Sequence, residues 1–244
     1  MISFLVCAFN EQEFIRATVN TINKSVSRVE FIDKFEIVIV NDGSNDLTEK
    51  NIEELKKEFN NIISYNNEKN LGYGASVKKG LQHIKYPKCM LLPGDDDISM
   101  DAIVAALKHL RSTDLVLTFP LNTEDRSKLR NILSKIYTLI YIVVFDCCVN
   151  YINGPVILPT DKVRNLKLRS NRHGINSEIV SKLLHSDISY YEVPVYFRFN
   201  TKARGTISVR NLFDVTISFI RLFIEMKILD RDKFSKISKR KHIY

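Results

Sequence analysis

Several signatures are missing from this chain of 244 residues, and each absence removes a class of function. Its four cysteines, Cys7, Cys89, Cys147 and Cys148, show no C-x-x-C spacing and no metal-ligand pattern. Three of them fall in apolar runs, which reads as reduced, buried thiols in a cytoplasmic setting. Met1 leads straight into a strand-like run, so no signal peptide is expected. No Walker loop or complete Rossmann fingerprint is present, and there is no internal repeat. The five histidines, His83, His109, His173, His185 and His242, form no ligand spacing. The most apolar stretch, 132–149 (ILSKIYTLIYIVVFDCCV), is interrupted by Lys135 and Asp146 and is too short to span a bilayer comfortably.

What is present is an ordinary globular composition, 45% hydrophobic and 26% charged, with length for a sizeable core. The net charge of +8 is uneven. From Lys202 onward there are eleven Lys/Arg against four Asp/Glu, so nearly all the excess lies in the last 43 residues. Such a tail suits an anionic membrane surface, or is a solvated, frayed end. Aromatic residues do not interleave with a basic face, which argues against nucleic acid as a partner.

The chemistry concentrates in Lys88 to Ser99, KCMLLPGDDDIS. An apolar run reads as a buried strand, Pro93-Gly94 stops it, and Asp95, Asp96 and Asp97 stand at its end, with Ser99 placed to cap a following helix. Adjacent carboxylates repel unless a cation or donors neutralise them, and ligands of an α/β sheet bind at the carboxyl ends of its strands. Strands at Ile2 to Cys7, Phe35 to Val40, Asn61 to Tyr65 and Asp114 to Phe119 alternate with helical patterns. The expected fold is therefore α/β, an open and mostly parallel sheet with covering helices. Polar turns after strands one, two and four (Ala8-Phe9-Asn10-Glu11, Asn41-Asp42-Gly43-Ser44 and the acidic triplet) converge on one sheet edge, and Asn70-Leu71-Gly72-Tyr73-Gly74 opens a helix beside them. In that second turn, Ser44 or Asp46 is expected to cap the next helix. Residues 1–120 are read as the nucleotide half.

Past Pro120 the alternation breaks. Residues 126–150 read as a helix, either interfacial, with Tyr137 and Tyr141 at headgroup level, or buried. A short strand at Tyr151 to Leu158, a helix at Asn171 to Leu184 carrying Glu178, and a strand at Ile188 to Phe199 follow. Arg172-His173 either contacts an acceptor or serves as a capped, solvated pair. Residues 121–206 are read as the acceptor half. Residues 207–244 are read as an amphipathic helix (209–229, Phe-rich and suited to membrane docking) with a basic tail.

The segments VCAFNE (6–11), IVNDGSND (39–46), NLGYGAS (70–76), LPGDDDIS (92–99), Arg130/Ser134, INSEIV (175–180), YYEVPVYF (190–197) and ARGTIS (203–208) occur in an order and spacing that resemble family 2 glycosyltransferases of the GT-A fold. Within that family the chain looks most like the dolichyl- and polyprenyl-phosphate mannose synthase branch. The resemblance implies a Rossmann-like three-layer sandwich. It also implies an inverting, metal-dependent transfer from a UDP- or GDP-sugar to a polyprenyl phosphate at the cytoplasmic face of a membrane. A glycan hydroxyl acceptor and a catalytically silent nucleotide-binding adaptor are the alternatives.

By the same resemblance, Ala8, Phe9, Asn10, Glu11, Asp42, Gly72, Asp95 and Asp96 contact the nucleotide. Asp95 and Asp97 hold Mg²⁺ or Mn²⁺, since hard cations favour oxygen ligands. Arg130 and Ser134 hold an acceptor phosphate. Arg204 closes over the diphosphate, and Glu178 stands on the acceptor side. An anionic phosphate acceptor needs no general base, whereas a sugar hydroxyl does, and Glu178 or Asp146 is then the candidate. Two departures from the family pattern stand out. Ala8 replaces a usual Pro, and Asn153-Gly154-Pro155-Val156-Ile157-Leu158 lacks the Arg of the family's T-G-x-F-R-L segment.

Overall fold

The computed structural model describes residues 1–125, 127–198 and 209–241. Eight strands form one sheet in the order β3-β2-β1-β4-β6-β5-β7-β8. They are β1 (Ile2–Ala8), β2 (Phe35–Asn41), β3 (Ile62–Asn66), β4 (Lys88–Pro93), β5 (Leu115–Pro120), β6 (Val156–Pro159), β7 (Ser189–Val195) and β8 (Lys239–Arg240). All pairings are parallel except those of β6, which runs antiparallel between β4 and β5.

Both faces of the sheet are covered, so the central strands are apolar on both sides, as the run ISFLVCA requires. Alternate residues feed separate cores. Phe4, Val6, Ile37, Ile39, Met90 and Leu92 pack with α1 (Ile15–Val26), α2 (Thr48–Glu58) and α4 (Met100–Leu107). Leu5, Cys7, Val38, Val40, Cys89 and Leu91 pack with α3 (Tyr73–His83), α5 (Lys128–Phe145), α6 (Thr160–Arg164) and α7 (Ile175–Leu184). The result is the three-layer α/β/α arrangement. Cys7, Cys89 and Cys147 are buried and free; Cys148 is exposed.

Ser99 caps α4 as expected, its side chain accepting from the Ala102 N–H at 3.1 Å. At α2 the work falls to Asp46, whose Oδ1 accepts from the Thr48 N–H at 3.0 Å.

Two expectations for the C-terminal part change. The helix 126–150 is neither wholly interfacial nor wholly core. In α5, Thr138, Tyr141 and Phe145 are buried, Tyr141 and Phe145 in the core shared with α7 and against Phe219 of α8 (Val209–Phe223), while Leu129, Ile132, Ile136, Leu139 and Val143 are exposed. The basic tail is not frayed over its described part. After a π-helical turn, Ile224–Leu229, the chain returns as β8 and pairs in parallel with β7 (Ser189↔Lys239, Tyr190↔Arg240). Arg240 meets the buried Glu192 at 3.1 Å, and Glu192 also accepts from the Asn150 N–H at 2.6 Å.

Candidate active site

Register alone brings the three polar turns together. Ala8 pairs with Asn41 and Cys7 with Pro93, so β1, β2 and β4 end level with one another. Beyond their carboxyl ends opens a cleft of about 1140 Å³, lined by residues 7–14, Asp42, Asp46, Asn70, Gly72, Tyr73, residues 93–95, Arg172 and His173. This is the position at which α/β proteins bind nucleotides.

The floor of the cleft is braced by hydrogen bonds between the first two turns. The Asn10 N–H donates to Ser44 Oγ at 2.9 Å, the Asn45 N–H to Asn10 Oδ1 at 2.9 Å, and the Glu11 N–H to Thr48 Oγ1 at 2.7 Å. Asn10 sits at φ +57°, a conformation Asn tolerates better than most residues. Asp42 is buried and accepts from Asn67 Nδ2 (2.8 Å), the Leu71 N–H (3.0 Å) and the Gly72 N–H (2.8 Å). Three of roughly four acceptor positions on that carboxylate are thus taken, and Oδ2 has room for one more donor. The loop from Lys69 to Gly72 is drawn tightly over the turn. A Cβ on Gly43 (φ +67°) would lie 2.4 Å from the Lys69 carbonyl carbon, so the position admits only glycine.

The acidic strand end is electrostatically strained. Burial, then the neighbouring Asp97, pushes the Asp95 carboxyl up to about 6; Asp96 adds a smaller push, and the Asp97 N–H donating to Oδ1 at 3.2 Å offsets part of it. Asp97 is half-buried beside it. Asp95 lines the cleft and Asp97 stands next to it, outside the lining; neighbouring carboxylates of this kind suit a hard divalent cation, which would relieve their repulsion. Among the described residues, no group of three or more His, Cys, Asp or Glu converges as a metal cage.

Asp96 departs from its expected nucleotide role. With φ +54° it turns away from the cleft, accepts from Thr21 Oγ1 at 2.9 Å, pairs with Arg198, and fastens the acidic turn to α1.

Arg172 and His173, left open in the sequence, both reach the cleft wall. The approach is set by Gly72 (φ +98°), where a Cβ would stand 2.5 Å from the Asn171 carbonyl oxygen, and is pinned by the Ala75 N–H donating to that oxygen at 3.0 Å. His173 stacks on Tyr73 with centroids 6.4 Å apart. Burial first, then the Arg172 guanidinium, holds its imidazole below the usual value and hence neutral at pH 7. Arg172 Nε lies 3.1 Å from Asp214 Oδ2 on α8.

The family description "Glycosyl transferase family 2" matches residues 3–147, more than half of the chain and all of the cleft except its Arg172–His173 wall. The chain belongs to glycosyl transferase family 2. It is 33% identical over 114 residues to a dolichyl-phosphate beta-glucosyltransferase from Trichomonas vaginalis (46% of this chain, 35% of the relative). It is 32% identical over 146 residues to a poly-beta-1,6-N-acetyl-D-glucosamine synthase from Staphylococcus epidermidis (60% of this chain, 34% of the relative). The chain thus spans about a third of the length of these curated relatives.

Among solved structures, mannosyl-3-phosphoglycerate synthase from Rubrobacter xylanophilus superposes with TM-score 0.70 at 11% identity, covering 98% of this chain and 77% of that one. Glucosyl-3-phosphoglycerate synthase from Mycobacterium tuberculosis, in complex with UDP, gives 0.64 at 13% identity, with coverages of 92% and 79%. The fold is GT-A.

Elsewhere in this family 2 chain the expected acceptor residues do not converge on the cleft. Glu178 is buried in an ion-pair cluster. It accepts from Lys182 Nζ (2.8 Å), the Arg169 N–H (2.9 Å) and the Ser170 N–H (2.8 Å), while Lys182 also meets Glu225 at 2.9 Å and Arg169 Nε meets Glu225 at 2.9 Å. Burial disfavours its charge, but Lys182 and the two backbone donors outweigh that and hold the carboxyl below its ordinary value. A carboxylate so engaged organises the backbone just before Arg172; it is not placed as a base. Asp146, the other candidate base, is an exposed α5 C-cap paired with Lys227 at 2.9 Å, also away from the cleft. Arg130 is exposed on α5 and Ser134 half-buried on the same helix, and neither lines the cleft. Arg204 lies outside the described residues.

Proposed function

We propose that this chain is the catalytic unit of an inverting, divalent-metal-dependent glycosyltransferase that uses a UDP-sugar and a polyprenyl-phosphate acceptor at a membrane surface. The observation that carries the reading is the single cleft joining the 8–11 loop, Asp42 and Asp95 at one sheet edge. UDP is favoured over GDP because solved structures of the same fold are complexes with UDP or UDP-GlcNAc.

In this reading the 8–11 loop, Asp42 and the 70–72 loop hold the nucleoside, with the remaining acceptor position on Asp42 taking a base N–H. Asp95 and Asp97 would hold Mg²⁺ or Mn²⁺, which supplies Lewis-acid stabilisation to the departing diphosphate. The acceptor oxygen attacks the anomeric carbon from the face opposite the leaving group, in a single inverting displacement.

Both carboxylates proposed as general bases are committed to ion pairs away from the cleft, which supports an acceptor whose oxygen is already anionic. The membrane location is supported by the outer faces of α5 and α8, where Leu129, Ile132, Leu139, Val143, Phe213 and Ile220 are exposed. No helix among the described residues is long and apolar enough to cross a membrane.

The test is hydrolysis and transfer from a panel of UDP- and GDP-sugars with Mn²⁺, using polyprenyl phosphate or a glycan as acceptor, and comparing wild type with Asp97→Ala. Turnover with polyprenyl phosphate, lost in Asp97→Ala while the thermal midpoint is kept, supports the reading. Transfer to a glycan alone replaces the acceptor assignment, and full activity in Asp97→Ala removes the metal site.

A further inference from the structure

We propose that Arg172 is the guanidinium that grips a ligand phosphate in the cleft, and that Asp214 on α8 is its positioning residue. The assignment rests on the nucleotide-sugar reading above and extends it to a residue outside the segment matched by the family description.

The argument begins with charge. The described lining of the cleft carries Glu11, Glu13, Asp42, Asp46 and Asp95, against Arg172 as its one lysine or arginine. A nucleoside diphosphate or lipid phosphate entering so acidic a cavity is repelled at close range unless cations meet it. A metal at Asp95 and Asp97 supplies one such charge. The neutral His173 supplies none, and the guanidinium supplies the other. Arginine is suited to the task, because its planar fork presents five donors and binds phosphate oxygens bidentately.

Position supports the same role. The Arg172 stem crosses Gly72 so closely that a Cβ there would lie 3.0 Å from Cγ, and it therefore stands directly over the helix opening that Asp42 anchors. Asp214 Oδ2 lies 3.1 Å from Arg172 Nε and is buried with no hydrogen-bond partner among the described residues, so charge rather than an aligned N–H holds the guanidinium beside it. Both side chains are about one-third exposed (34% and 30%), so the pair contributes orientation more than stability.

The phosphate is either the donor's diphosphate or the acceptor's, and the experiment separates them. UDP and uridine are titrated calorimetrically with Mn²⁺ into wild type, Arg172→Gln, Arg172→Lys, Asp214→Asn and Asp214→Glu, and the KM for polyprenyl phosphate is measured alongside. For a donor contact, Arg172→Gln weakens UDP roughly 10- to 100-fold, as expected for lost charge-assisted hydrogen bonds, with uridine unchanged and Arg172→Lys in between. For an acceptor contact, UDP is unchanged and the acceptor KM rises by a similar factor at constant kcat. Asp214→Asn reproduces a smaller part of the same loss, and Asp214→Glu restores it.

Equal losses of UDP and uridine, or no change in either UDP affinity or acceptor KM, overturn the role of Arg172. An unaffected Asp214→Asn overturns that of Asp214. Wild-type protein that binds no nucleoside diphosphate overturns the donor reading and this assignment together, whereas wild-type binding with an indifferent Arg172→Gln overturns this one alone.

Discussion

Replacing Glu178 with Gln separates a scaffold from a catalyst. Lys182 is fully buried and Glu178 nearly so, with Glu225 and Arg169 completing a neutral set of four charges. The substitution keeps the shape but leaves the set with an uncompensated positive charge, and it turns one acceptor oxygen into an NH₂ donor, so one of the two oxygens that accept from Arg169, Ser170 and Lys182 is lost. Breaking a buried pair by removing one partner costs roughly 3–5 kcal/mol, and because Lys182 retains Glu225 the low end, about 3 kcal/mol, is expected. For a domain of this size that lowers the thermal midpoint by roughly 6–12 °C.

The Glu178 carboxyl is held below its ordinary value, so its stabilisation is present above the unfolded pKa and disappears as pH falls through the folded one. The deficit of Glu178→Gln should accordingly shrink in acid. Combining it with Lys182→Met should cost less than the sum of the single changes. The assay is thermal unfolding from pH 3 to 8 beside kcat at saturating substrates below the midpoint. A variant of wild-type stability whose kcat falls roughly 10²- to 10⁴-fold, the contribution of a general base, would refute the reasoning.

Asp95→Asn should raise the thermal midpoint of the metal-free protein above pH 6, because ionising a carboxyl pushed up from 3.8 to about 6 costs folding stability that is fully paid only above the higher value. The gain should vanish below pH 4, and Mn²⁺ should stabilise wild type but not the variant, both read by calorimetry. Gly72→Ala should lower stability by roughly 2 kcal/mol or more through its positive φ, and should weaken UDP binding by displacing the Asn171–Arg172 backbone, which a urea titration and a binding isotherm would show. Leu139→Glu together with Phe213→Glu, both at exposed positions, should leave the midpoint within about 4 °C while reducing sedimentation with anionic vesicles. Unchanged sedimentation would remove the membrane face.

The layered sheet and the meeting of its first, second and fourth strand ends were legible in the chain because both follow from local patterning. Fully apolar strands, turn residues at their ends and right-handed crossovers leave little choice of edge. Ser99 was legible for the same reason. Arg172 and His173 were not, since their place on the cleft depends on a backbone contact across about 100 residues, and Gly72 and Gly74 were its one trace in sequence. Glu178 was set on the acceptor side by resemblance alone; its ion pairs with Lys182, four residues on, and through Lys182 with Glu225 after α8 are long-range packing that the local pattern does not carry. The two-residue β8 is too short for any periodicity to announce.

The antiparallel β6 bears on how the chain assembles. β4 and β5 do not touch each other; the strip from Val156 to Pro159 joins them, and it is synthesised well after both. Until it inserts, the nucleotide-holding half ends in the unpaired β4 margin, and β5 has no strand partner from the first 120 residues, only packing against α4. A fragment stopped near residue 150 is therefore expected to expose two unpaired strand borders and to self-associate through them, which sedimentation of that fragment beside the full chain would show.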